Sequence, residues 1–257
     1  MAFIIISVIS FCAAGLTFFS GFGLGTILTP VFAVFFPLES AIAMTAVVHF
    51  LNNIFKLFLV GRYADRGIVL RFGLPAVIAA IGGALVLHNL QSLPPLGHYE
   101  WAGKIFIVSA FKMIIAVLII IFVLLELIPS FAKMTFDRRY LVLGGILSGF
   151  FGGLSGHQGA LRSAFLMKCG LSKESFIATG IVIACLIDIS RISIYSQHLL
   201  SSELREHAAI IATATLCALA GSFMGSRVFR KVTLQAVQII VSVLLIVIAV
   251  LLGAGII

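Results

Sequence analysis

Charge is what this 257-residue sequence has least of: Asp, Glu, Lys and Arg make up 10% of it, against 61% hydrophobic residues and a mean hydropathy of +1.24. A soluble surface cannot be built from so few charges, which excludes an ordinary soluble enzyme or binding module. Acids are scarcest, nine against seventeen Lys and Arg. In a soluble chain the resulting charge of +8 would suggest nucleic acid. Here the basic residues lie in short connections between apolar runs, the positive-inside signature, and no nucleic-acid partner is expected. The four cysteines, Cys12, Cys169, Cys185 and Cys217, stand singly without metal-ligand spacing and read as small core residues. The histidines form no HExxH and no GxxxxGK[ST] loop is present, so neither a metal nor ATP is expected. MAFIIISVISFCAAG lacks the basic flank and polar cleavage region of a cleaved signal peptide and reads as a first helix.

What is there is apolar sequence for roughly eight to ten membrane segments, at about 20 residues per crossing. The fold class expected is an all-α polytopic membrane protein. Helices are predicted over 2–20, 38–61, 68–90 and 102–128, with a short apolar piece after the glycine-rich GFGLG at Gly21 to Gly25. QSLPPLGHYEW, with Trp101, reads as interfacial. After SFAKMTFDRR the order repeats: a helix from about Tyr140, a break at GGLSGHQG, a short piece to Gly170, then helices over 172–197, 204–225 and 234–252.

Shifting the first half by 135 positions lays Glu39, Ser40, Ile42, Ala43 and Val47 on identical residues at Glu174, Ser175, Ile177, Ala178 and Val182, and Ser20-Gly21 on Ser155-Gly156. Two repeats follow, 1–130 and 131–257, each with four long helices, one of them paired with a short glycine-broken half-helix. Placing Arg62, Arg66 and Arg71, Lys133, Arg138 and Arg139, and Arg227, Arg230 and Lys231 on the cytoplasmic side puts both termini outside and makes the repeats inverted.

Two breaks in backbone hydrogen bonding inside a bilayer need burial in protein or a wet cavity. In inverted-repeat transporters such breaks meet near the midplane and aim helix N-termini at an anion. The candidate binding residues are therefore Ser20, Gly21, Gly23, Gly25 and Thr26 with Ser155, Gly156, His157, Gln158 and Arg162. Close helix packing is the other reading of the glycines. The fork of Arg162 suits an oxyanion, and snorkelling to the cytoplasmic edge also fits it. Behind them stand Asn53 and, on the equivalent helix, Asp188 and Arg191; His49, Asn52 and Lys56 share the helix of Asn53. Asp188 reads either as a proton or sodium coupling group or as half of a static ion pair. Glu39 and Glu174 read as capping residues. GLSG at Gly153 to Gly156 fits the GxSG of rhomboid intramembrane proteases, but no later helix carries a central His, and His157 is too close in sequence to serve Ser155. No enzyme is expected.

SGFGLGTILTP, with its trailing Pro30, and GGLSGHQGALRSAFL in the corresponding place resemble the two glycine-rich motifs of the sulfite exporter TauE/SafE family, also called the 4-toluene sulfonate uptake permease family. The second departs from the commoner GxGGG form at His157, Gln158 and Arg162. The resemblance spans nearly the whole chain. It implies a secondary transporter moving sulfite, sulfonates or related organosulfur anions across the bacterial cytoplasmic membrane, with lipids and the anion as partners and a homodimer as one form. A passive anion channel is the alternative.

Overall fold

Helices form wherever the apolar runs allow them, and the breaks fall where glycine or proline interrupts. The computed structural model describes residues 1–20, 24–128, 134–198, 206–228 and 234–257. Gly21, Gly23, Lys133, Arg230 and Lys231 lie outside the described residues, and of Ser20 only the backbone is described. Ten helices stand among the described residues. They are α1 (Ala2–Ser20), α2 (Leu24–Ala33), α3 (Leu38–Val60), α4 (Arg66–Gln91), α5 (Ala110–Leu127), α6 (Leu141–Ser155), α7 (Gly159–Leu166), α8 (Lys173–His198), α9 (Ala208–Val228) and α10 (Leu234–Gly253).

Stretches of α3, α4, α8 and α9 are long and apolar enough to cross a membrane. Their lipid-side faces and those of the other apolar helices leave Phe58, Ile78, Ile121, Leu216 and Val250 exposed, a periphery that hydrocarbon would cover. Asp65 caps α4 by accepting from the Ile68 N–H at 2.8 Å. A π turn, Val69–Gly73, follows it. Pro75 comes directly after, with no N–H to give to the Arg71 carbonyl, which accounts for the loosened turn. Glu39 and Glu174 do lie in the first turns of α3 and α8.

One expectation is corrected. The predicted helix 102–128 begins only at Ala110. Before it, β1 (Pro95–Trp101) and β2 (Lys104–Ser109) form an antiparallel hairpin. KIFIVS is as apolar as a helix, but its Ile105, Ile107 and Val108 are β-branched and favour a strand. Tyr99 stacks on Phe106 and donates from its hydroxyl to the Ala254 carbonyl at 2.9 Å, which ties the hairpin to the C-terminal end of the chain.

The helix pairs are reciprocal. α1 packs along α9 and α6 along α4; α3 crosses α8, α5 packs on α10, α4 touches α8 and α9 touches α3. The two longest contacts are glycine seams. A methyl group built at Gly145, Gly149 or Gly153 would lie 2.2, 2.1 or 2.0 Å from the carbonyl oxygens of Phe72, Ala76 and Ala80. At Gly221 and Gly225 it would meet those of Phe11 and Gly15 at 2.0 and 2.4 Å. Such approach, backbone to backbone, is how helices associate where no hydrophobic force acts between them.

Neighbouring glycines on α4 give a sharp test. A methyl at Gly83 would lie 2.1 Å from the Phe150 carbonyl, whereas at Gly82 nothing stands within 4 Å. Gly83→Ala is expected to cost about 1–3 kcal/mol of overpacking. Gly82→Ala should be neutral or gain up to about 1 kcal/mol of helix propensity. Thermal unfolding of the two purified variants in one detergent checks the contrast, and equal effects would refute the seam.

Candidate functional site

The α3–α8 crossing brings Asp188 against His49, and around that contact the buried polar groups of the chain converge. An ionised carboxylate offers about four lone-pair sites, and all four have a donor here. His49 Nδ1 lies 2.6 Å from Oδ2 and Asn53 Nδ2 donates to the same oxygen at 3.4 Å. Arg191 Nε donates to Oδ1 at 3.0 Å, with Nη2 2.8 Å from that oxygen, and Gln158 Nε2 donates to it at 3.4 Å. Asp188 and Arg191 are wholly buried. His49 and Asn53 stand one turn apart on α3, Arg191 one turn beyond Asp188 on α8, and Gln158 is the N-cap residue of α7.

Gln158 links this centre to Arg162. Its amide oxygen accepts from Arg162 Nη1 at 3.1 Å while its backbone carbonyl accepts from Ser148 Oγ, also at 3.1 Å. Arg162 is 9% exposed. Gly180 on α8 leaves it room: a methyl there would lie 3.3 Å from Arg162 Nε. Lys56, one turn past Asn53, is buried over the Phe18 ring, 5.5 Å from its centre. Turned so that both its ends are satisfied, the Asn52 amide donates to Ser222 and the Ala218 carbonyl and accepts from Lys56 Nζ at 3.3 Å.

A cavity of about 50 Å³ opens between these groups, room for a few water-sized groups. Its polar wall is Thr17, His49, Asn53, Lys56, Arg162 and Ser163; Phe18, Phe176, Ile177 and Ile181 form much of the apolar wall. Three cations, Lys56, Arg162 and Arg191, are buried in the network against one carboxylate. Among the described residues only Arg191 and His49 lie within ion-pair distance of Asp188, and neither Lys56 nor Arg162 has a carboxylate partner. The positive surplus therefore lines the cavity.

The chain matches the family described as Sulfite exporter TauE/SafE over residues 6–252. It belongs to that family. Membership makes it a multi-pass membrane transporter of a family that handles sulfite-type anions, a transporter family and not an enzyme family. Searches against curated proteins and solved structures return no match.

In this TauE/SafE member, Asn53 and Arg162 line the cavity, whereas Gln158, Asp188 and Arg191 form the network behind it. Gly156, at φ +83°, closes α6 and leaves a space that Arg191 Nη1 fills, 2.8 Å from where a methyl would sit. Gly25 passes close to the Gly156 carbonyl, its methyl position 3.4 Å away, while Thr26 is buried on α2 away from the cavity wall. Ser155 and His157 are in contact, Oγ to Nδ1 at 3.0 Å. Ser155 gives its proton to the Phe151 carbonyl and both residues are buried, His157 stacked on Phe122. His49 and Lys56 also line the cavity; in the sequence Lys56 reads as a cation that could attract an anion, and His49 has no assigned role. Their spacing around Asn53, four residues before and three after, was the available signal, since it places all three on one helix face.

Breaking the centre should be expensive. Asp188→Ala leaves Arg191 buried without its partner, and a loss of about 3–5 kcal/mol is expected. Asp188→Ala with Arg191→Met should recover a large part of it. Equal stabilities of the single and double variants in thermal unfolding would show that the pair does not organise the network.

Proposed function

We propose that the protein is a secondary carrier that moves a small sulfur oxyanion or organosulfonate across the bacterial cytoplasmic membrane, holding it in the cavity between Lys56 and Arg162. The observation that carries this reading is the uncompensated charge: two buried cations face one cavity with no carboxylate of their own. An anion with several oxygens supplies both the charge and the acceptors that a guanidinium fork and an ammonium need. Asn53 and Ser163 offer further hydrogen bonds, and the phenyl rings of Phe18 and Phe176 suit the organic part of a sulfonate.

The reciprocal helix pairing supports the two-repeat reading, 1–130 against 131–257, because the main contacts between the halves map onto one another when the halves exchange. With the basic connections on the cytoplasmic side, both termini lie outside. The cavity is lined from the ends of α1 and α2, from the C-terminal half of α3, from α7 and from the first half of α8; Arg62 follows α3, Lys168 follows α7 and Lys173 starts α8, so on the positive-inside reading its mouth is cytoplasmic. The cavity ends against His49 and Asn53, which bond the buried Asp188, an arrangement that favours alternating access by rocking of the halves over an open pore. Energy comes from a proton or sodium gradient.

Thermal shifts of the purified protein against sulfite, thiosulfate, sulfoacetate, taurine, aryl sulfonates, chloride and carboxylates test the substrate class. A selective stabilisation by a sulfur anion is expected, and Arg162→Ala should weaken it by about tenfold or more, since a charge-assisted hydrogen bond is worth about 1.5–3 kcal/mol. A shift with carboxylates alone would discard the sulfur anions. A sulfur-anion shift unchanged in Arg162→Ala would remove that residue from the site.

A further inference from the structure

Asp188 has the position of a coupling residue, but its four acceptor sites are already filled, and a proton placed on it would displace a donor and orphan it. His49 is different. Its Nδ1 is committed to Asp188 Oδ2 at 2.6 Å, and because an ionised carboxylate can only accept, that nitrogen carries the hydrogen. Nε2 is then the unprotonated nitrogen. It belongs to a residue on the cavity wall, with Asn53 Nδ2 3.4 Å from it and 3.2 Å from Nδ1.

We infer that His49 is a proton-binding site of this transporter, and that a proton at its Nε2 and an anion between Lys56 and Arg162 enter together. The inference rests on the anion reading above. Facing His49 are Lys56 on α3 and Asp188 and Arg191 on α8, with Arg162 of α7 on the wall of the same cavity and the Cys185 thiol of α8 near Asp188, Arg162 and Lys56. With three cations against one carboxylate, an added proton raises a positive charge that is already uncompensated, and an anion lowers it. Each ligand therefore reduces the electrostatic cost of the other, and linkage makes the effect mutual. The step moves one proton from water to Nε2 and changes no bond in the anion.

Asn53 stands beside the ring, its Nδ2 3.2 Å from Nδ1 and 3.4 Å from Nε2 while it donates to Asp188 Oδ2 at 3.4 Å, so a proton at Nε2 changes the charge next to an amide that links α3 to α8. Because His49 and Asp188 sit on α3 and α8, at the crossing of the two halves, protonation acts on the contact that rocking would have to change.

The test is anion binding by the purified wild-type protein from pH 5 to 9, with methanesulfonate and thiosulfate as probes, since neither changes its own charge over that range. One proton taken up per anion makes the affinity fall about tenfold per pH unit above the pKa of the free site, and a weakly buffered solution should turn alkaline on mixing. His49→Gln should abolish the alkalinisation and flatten the slope, whatever its residual affinity. Binding by wild type with no slope and no proton uptake overturns the inference and leaves the anion reading standing. A slope that persists unchanged in His49→Gln places the proton elsewhere and overturns it too. If neither probe nor sulfite binds at any pH, the anion reading falls and this inference falls with it.

Discussion

A charge inside a bilayer-spanning protein costs several kcal/mol unless it is paired or wet, and this chain buries four of them in one network. Only Asp188 and Arg191 pair directly. Lys56 and Arg162 are supported by neutral groups, Asn52, Gln158 and the Phe18 ring, and by the cavity they line. On the proposed function, an anion in that cavity would supply the charge the network lacks. Asp188 is the fixed point, holding two side chains of α3, the N-cap of α7 and its own neighbour on α8.

The glycines make that centre geometrically possible. Seams at Gly145, Gly149 and Gly153 on one side and Gly221 and Gly225 on the other pull α6 onto α4 and α9 onto α1 until backbones touch. The break at Gly156 ends α6 inside the protein, turns the chain at positive φ and gives its missing side chain's place to Arg191. Gln158 then starts α7 with its amide between Asp188 and Arg162. A longer, unbroken helix would carry neither residue to the α3–α8 crossing.

Helix order and most boundaries were legible in the sequence because hydropathy and glycine punctuation act locally. α3, α4, α8 and α10 begin and end within about two residues of the expected positions, the usual scatter of helix ends. The hairpin was not legible from hydropathy, since KIFIVS continues an apolar run, and only its β-branched residues marked it. At the site, Asn53, Gln158, Arg162, Asp188 and Arg191 were foreseen as polar residues at membrane depth. Their division into a cavity wall and a supporting network was not, because it depends on how α3 and α8 cross. His49 escaped for the same reason: a lone histidine on an apolar face gains its meaning only from the carboxylate 139 positions away.

The decisive measurement is counterflow in proteoliposomes. Vesicles loaded with unlabelled sulfite or the sulfonate that stabilises the protein are diluted into a trace of the labelled anion. A carrier that exposes the Lys56–Arg162 cavity alternately to each side predicts transient accumulation of label above equilibrium, saturable and lost in Arg162→Ala. Label that only leaks in, without overshoot and in proportion to its concentration, would contradict a carrier and mark a passive pore.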